Sequence, residues 1–140
     1  MLMLRKQIKI MKKLFFLVAF LVTTTVLFSS CSKDKDDEIT IGSKLQYRLT
    51  GSSNVSLSTI TITDGNGQIS SVAAPQSNTW TSEEITLNKK DITLQLGGGG
   101  SVTGGVGQLK AEILINGKVV EESNSSSSNS TVVAVVYHQF

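Results

Sequence analysis

The sequence has one cysteine, one histidine, one tryptophan and one proline in 140 residues, and this scarcity excludes several kinds of protein. With only Cys31 available, no disulfide can form within the chain. A zinc site needs three or four protein ligands, and His138 has no second histidine and no thiol other than Cys31 to join it. The sequence therefore predicts neither a disulfide-stabilised scaffold nor a metal centre.

Motifs for catalysis and ligand binding are also scarce. The glycine-rich stretch 97–107 fits neither a P-loop nor G-x-G-x-x-G, so it predicts a flexible loop with a short irregular strand at Ser101–Thr103. The loop that begins at Asp64 starts like a calcium loop but lacks the later ligand, the glycine and the closing glutamate. No nucleophile motif surrounds any serine. We expect no catalytic residue, no cofactor and no metal.

The N-terminus combines a basic head with a short apolar run. Five basic residues and no acid lie within the first thirteen positions, and residues 14–28 carry no charge. As a helix this run would span about 22 Å, which is short of the roughly 30 Å hydrocarbon core that a permanent transmembrane helix crosses. Two serines follow. The pattern favours a secretory signal peptide over residues 1–30, with translation starting at either Met1 or Met11.

Cys31 lies directly after this segment. The sequence LFSSC, residues 27–31, resembles the lipobox of bacterial lipoproteins, in which an apolar residue and two small residues precede a cysteine. The resemblance implies that the Cys31 thiol takes a diacylglycerol group, that the signal is cut before Cys31 and that the new amino group is acylated. Two or more acyl chains hold a protein stably at a membrane. We expect Cys31 to be the lipidation site, with the membrane as a partner.

The charged segment SKDKDDE, residues 32–38, resembles the signal that sends lipoproteins of Bacteroidota to the outer face of the outer membrane. A charged run without apolar residues also acts as a solvated tether, here through residue 42. Without residues 1–30 the chain keeps eight basic and eleven acidic residues, a net charge of −3, which offers no basic patch for nucleic acid. The expected location is the outer membrane, with surface exposure favoured over the periplasm-facing side.

Residues 43–140 form one predicted domain, rich in the residues of strands and turns. Lys110 and Glu112 point outward in one of its alternating segments. Val55 and Leu57 occupy odd positions, whereas Ile60 and Ile62 occupy even ones. This switch of the apolar side chains near Ser58–Thr59 predicts a β-bulge. Apolar and polar residues alternate, as in half-buried antiparallel strands, over residues 44–50, 91–97 and 108–115.

Turn residues connect these strands. Asn116-Gly117 predicts a tight hairpin, and the glycines after Asp64 predict a second one. The serine-rich run 123–130 predicts a polar loop, and TVVAVVYHQF, residues 131–140, predicts a strand well inside a sheet or at an interface. With about seven short strands, the predicted fold is all-β, a small antiparallel β-sandwich of immunoglobulin-like size.

Trp80 and His138 are the remaining candidates for individual roles. A single tryptophan in a sandwich is typical of a core anchor, and a ligand-binding platform is the alternative. A lone histidine near the C-terminus is predicted to be a solvent-facing strand residue.

The domain resembles the mycobacterial small membrane protein (MmpS) family over about residues 45–138. It has in similar order a Tyr-x-x-Thr-Gly strand, an Ile-Thr hairpin, a tryptophan and a closing Gly-Lys hairpin. The matching positions are Tyr47, Thr50, Gly51, Ile60, Thr61, Asp64, Gly67, Trp80, Ile113, Ile115, Gly117 and Lys118. The resemblance implies a small membrane-held β-sandwich that assists large lipid or siderophore exporters. The chain has a lipobox in place of the family's transmembrane helix and lacks its paired cysteines, with Ala111 near one expected place and Val135–Tyr137 near the other.

The function that these patterns favour is a non-catalytic binding or accessory module, tethered to the envelope and associated with an envelope protein or transporter. A secreted hydrolase is one alternative. Against it, the histidine and the carboxylates of this sequence are few and spread along the chain. The other is a subunit of a surface assembly, for which residues 131–140 would be the only candidate donor strand.

Overall fold

The computed structural model describes residues 39–140, which form nine β-strands and no helix. The lipidation site predicted at Cys31 and the segments on either side of it lie outside the described residues. The strands are β1 (Lys44–Gly51), β2 (Val55–Thr63), β3 (Ile69–Val72), β4 (Thr79–Thr81), β5 (Ile85–Thr86), β6 (Thr93–Val102), β7 (Gly107–Ile115), β8 (Lys118–Ser127) and β9 (Thr131–Gln139).

The strands pair into two antiparallel sheets that enclose one apolar core. Sheet A has the order β4-β1-β7-β8, with β5 also paired to β1, and sheet B has the order β3-β2-β6-β9. The predicted small antiparallel β-sandwich is confirmed, with nine strands where the sequence predicts about seven. Strands β4 and β5, of three and two residues, are too short to show an alternating pattern.

Alternate residues of the long strands fill the core, as the period of a β-strand requires. In β1, Leu45, Tyr47 and Leu49 are completely buried. The Tyr47 hydroxyl donates a hydrogen bond of 2.7 Å to the carbonyl oxygen of Thr63, which joins β1 of sheet A to β2 of sheet B. Burial raises the pKa of Tyr47 well above its ordinary value. The inward residues of the other strands include Leu57, Ile60, Leu94, Leu96, Leu109, Ile113 and Val132.

The predicted bulge and both predicted hairpins are present. The pairing of β2 with β6 shifts register between Leu57 and Thr59, which turns Ile60 and Ile62 towards the core. Strand β2 pairs with β3 through the turn after Asp64, whose Oδ1 accepts hydrogen bonds from two backbone N–H groups of that turn. At the β7–β8 turn, Asn116 and Gly117 have φ of 51° and 79°, the left-handed geometry of a tight hairpin.

The glycine-rich stretch is not the flexible loop that the sequence predicts. Residues 97–102 belong to β6, which is paired on both sides, with β2 and with β9. A Cβ added at Gly98 would lie 2.5 Å from Leu49 Cδ2, and one at Gly100 would lie 2.9 Å from the carbonyl oxygen of Ser56. The prediction was wrong because these glycines make room for neighbouring strands, and only residues 103–106 form a loop.

Two further predictions about the C-terminal part need correction. Ser123–Ser127 extend β8 and do not form a loop, because β7 supplies a partner for each of them. Strand β9 is an edge strand of sheet B, so of the two predicted positions the one well inside a sheet is wrong, and the one at an interface stays a prediction. Its residues Val132, Ala134 and Val136 face the core, while Val133, Val135 and Tyr137 face outward.

The two ends of the sandwich differ in what they hold. At the near end, where the described chain begins, Ile39 packs against the core and Gly42 donates a backbone hydrogen bond to Leu87. The β7–β8 turn is at the same end, since the Asn116 backbone N–H donates to the carbonyl of Lys44. The far end holds the loops after β1 and β6.

Residues Ile39–Phe140 form one compact unit with its own core, so this part of the chain has what an independently folding domain needs.

Candidate functional site

Charge is distributed unequally between the two sheets. The four strands of sheet B contain no aspartate, glutamate, lysine or arginine. The strands of sheet A contain seven such residues, all in β1, β7 and β8. The sandwich therefore presents a charged outer face on sheet A and a neutral outer face on sheet B, and only the second lacks the charges that normally keep a sheet surface solvated.

A network of ion pairs covers the charged face. Arg48 Nε lies 2.6 Å from Glu112 Oε2, and Lys110 Nζ lies 2.8 Å from Glu112 Oε1 and 2.9 Å from Glu122 Oε2. Glu112 was predicted to point outward, and it does lie on the outer face, but its residue is only 5% exposed because these partners cover it. The hydrogen bond from Arg48, and then that from Lys110, hold the pKa of Glu112 below its ordinary value.

We expect the stability of the domain to fall in acid partly because of Glu112. Its folded-state pKa is lowered, so its contribution is fully present above the unfolded glutamate pKa of about 4.3 and is lost as the pH falls through the folded value. Urea midpoints measured from neutral pH into the acid range should decline less steeply for Glu112→Gln than for the wild type. Glu84→Gln, at an exposed position, serves as the control. An unchanged slope for Glu112→Gln would contradict the assignment.

A polar cleft of about 620 Å³ opens at the far end of the charged face. Side chains from β1, β7 and β8 meet there because Thr50, Lys110 and Asn124 lie across from one another in the sheet. The loop residue Ser52 closes the end of the cleft, and its Oγ accepts a hydrogen bond from the Gln108 backbone N–H. Hydroxyl, amide and amine groups converge here, and such groups fix the orientation of a polar ligand.

Trp80 lies beside a second, more apolar cleft of about 320 Å³. The side chain is half-buried and packs against the core, so it has part of the anchor role that the sequence predicts. Its remaining surface lines the cleft together with Ile62, Val72 and Ile85. The structure thus gives Trp80 features of both the core anchor and the binding platform.

His138 is more covered than a solvent-facing strand residue would be. Its side chain is 18% exposed, and its Nδ1 lies 3.3 Å from Glu121 Oε1 on β8. Within residues 39–140 no group of three or more histidine, cysteine, aspartate or glutamate residues could hold a metal ion. No helix in that part of the chain is long and apolar enough to cross a membrane.

The neutral face, which is the outer face of sheet B, is not flat. Thr61, Gly97 and Val135 form one row across β2, β6 and β9, and Thr59, Gly99 and Val133 form the next row. Because Gly97 has no side chain, the middle of the first row is lower than its two sides, whereas Gly99 is buried and a Cβ there would lie 2.5 Å from the Thr59 Oγ1 of the same chain. Sequence reasoning missed this surface, although the absence of charge from these strands is a signal that could have revealed it.

No protein-family model matches the chain, and no curated protein matches it significantly.

Proposed function

We propose that the protein is a lipoprotein of the bacterial envelope, anchored by lipid on Cys31, whose β-sandwich is a non-catalytic binding module. It is held at the outer membrane, displayed on the cell surface, and serves an envelope complex or transporter as an accessory protein. The basic head, the short apolar run and the LFSSC sequence support the anchor, and the charged residues 32–38 support surface display.

The observation that carries the binding role is the position of the polar cleft. Strand β1 begins near Ile39, where the tether would join the domain, and ends at the cleft. Eight residues of extended strand separate the two ends by roughly 23 Å at about 3.3 Å per residue. The cleft therefore lies at the end of the domain opposite the point where the tether joins it.

The anchor is tested by Cys31→Ala, which removes the only thiol in the chain. We expect no palmitate labelling, together with an uncleaved precursor or protein in the soluble fraction, because no other side chain can form the thioether. Cells that produce the wild type are fractionated and labelled in parallel. Normal membrane partition and labelling of Cys31→Ala would contradict the lipoprotein assignment.

The cleft is tested in the same cells with a photo-crosslinking amino acid at position 108, where the wild-type glutamine is exposed in the cleft wall. We expect one dominant envelope partner, whose capture depends on Cys31. A matched probe at Ser70, exposed on β3 of the other sheet, should not capture it. Equal capture from both positions would argue against the cleft as the binding site.

A further inference from the structure

Gly97, in the neutral face, is not explained by the packing of the sandwich. A Cβ added there would meet no atom nearer than 3.9 Å, whereas Cβ atoms at Gly98 and Gly100 would overlap their neighbours. Glycine inside a strand lowers stability by roughly 0.5–1 kcal/mol relative to alanine. A glycine inside a strand marks a bulge, a tight bend or a place where a ligand or another backbone approaches closely, and the bulge of this sheet lies opposite Gly99 and Gly100, not opposite Gly97.

Exposed apolar side chains lie at both borders of the same face. On β9, Tyr137 and Val133 are 57% and 60% exposed, and on β3, Ile69 is 63% exposed. Ile69 and Tyr137 are in one row, because Ile69 is opposite Thr63 on β2 and Tyr137 is opposite Gln95 on β6. The Gln95 backbone N–H donates to Thr63 Oγ1, which connects the two halves of this row.

We propose that the neutral face binds the neutral face of a second copy of this chain. With a two-fold axis parallel to the strands, between β2 and β6, each row meets itself in reverse order. Thr61 of one copy then lies over Gly97 of the other. At the borders, Ile69 meets Tyr137 of the other copy. The Thr61 side chain enters the low position at Gly97 of the opposite face, and the large apolar side chains cover one another, as an isologous interface requires.

Charge and size both fit this occupant. The face carries no formal charge, so two copies can approach without like charges facing each other across the interface. Neighbouring strands are about 4.8 Å apart and each strand rises about 3.3 Å per residue. The neutral face therefore has an area of roughly 500 Å², and two copies together would bury roughly 1,000 Å². That is the lower bound for a specific interface, so the expected dimer is reversible. Face-to-face packing of two β-sheets is common in proteins.

The test is sedimentation of residues 32–140, which retain the whole compact unit, over a wide range of protein concentration. We expect a reversible dimer for the wild type. Ile69→Glu and Tyr137→Lys, at exposed positions, should each weaken it by about tenfold or more while leaving the melting temperature of the monomer unchanged. The matched control is Val119→Lys, at an exposed position on sheet A, which should leave the dimer intact.

The double variant Ile69→Glu with Tyr137→Lys distinguishes this geometry from other dimers. The two positions are three strands apart, roughly 14 Å, so the new charges cannot pair within one copy. Across the proposed two-fold axis they face each other, and the double variant should regain the dimer. A wild-type chain that is monomeric at all concentrations, single variants that dimerise normally, or a double variant without recovery would each overturn the proposal.

Discussion

Replacing Tyr47 with alanine should lower the free energy of unfolding by about 3–5 kcal/mol, since its side chain is the largest completely buried one among residues 39–140. That is a large part of the ~5–15 kcal/mol that stabilises a typical domain. The ring fills space between the sheets, and its hydroxyl is the hydrogen-bond donor to the Thr63 carbonyl oxygen. Urea unfolding of residues 32–140, followed by tryptophan fluorescence from Trp80, measures the change.

Tyr47→Phe separates the two contributions of this residue. The ring remains, but the Thr63 carbonyl oxygen loses a buried donor, which should cost about 1–3 kcal/mol. The alanine variant must therefore be the less stable of the two. If Tyr47→Phe unfolded at the wild-type midpoint, the hydrogen bond between the sheets would have no role in stability.

The second large effect is expected at Gly98. In Gly98→Ala the new methyl group would lie 2.5 Å from Leu49 Cδ2, in a part of the core without space for it. Overpacking of this kind typically costs about 1–3 kcal/mol. The measurement is again the urea midpoint, taken at low protein concentration so that self-association does not contribute.

Gly97→Ala is the matched control, because it makes the same change one residue earlier on the same strand and on the opposite face. Its methyl group meets only ordinary contacts at 3.9 Å, so we expect unchanged stability or a gain of up to ~1 kcal/mol. Equal destabilisation by the two alanines would show that β6 needs glycine for its backbone and not for space.

Most of the strands that sequence reasoning identified correctly have apolar residues that alternate on their own, and the continuous apolar run of β9 is the exception. Strands β1 and β7 show the pattern directly, and Asn116-Gly117 marks the turn after β7. Glycines 97–100 give no such signal, since what makes them a strand is the neighbouring chain on each side. The serines of β8 are strand residues for the same reason: β7 provides their partners.

The candidate site was less accessible to prediction than the fold. The cleft combines Thr50, Gln108 and Ser126, which come from three strands and become neighbours only through pairing. No short motif carries such an arrangement. Glu112 is a similar case, because an outward position in β7 could be predicted, but the cover supplied by Arg48 from β1 could not.

The pairing of β1 with β7 also determines when the domain can form. Leu45 lies opposite Ile115, about seventy positions later in the chain, and β6 acquires its second neighbour only with β9. Loops of this length must close before either sheet is complete, so folding is expected to take on the order of milliseconds to seconds and to wait for the last strand. If the chain is exported as proposed, this order of events would keep the polypeptide unfolded during its passage and delay assembly until β9 has emerged.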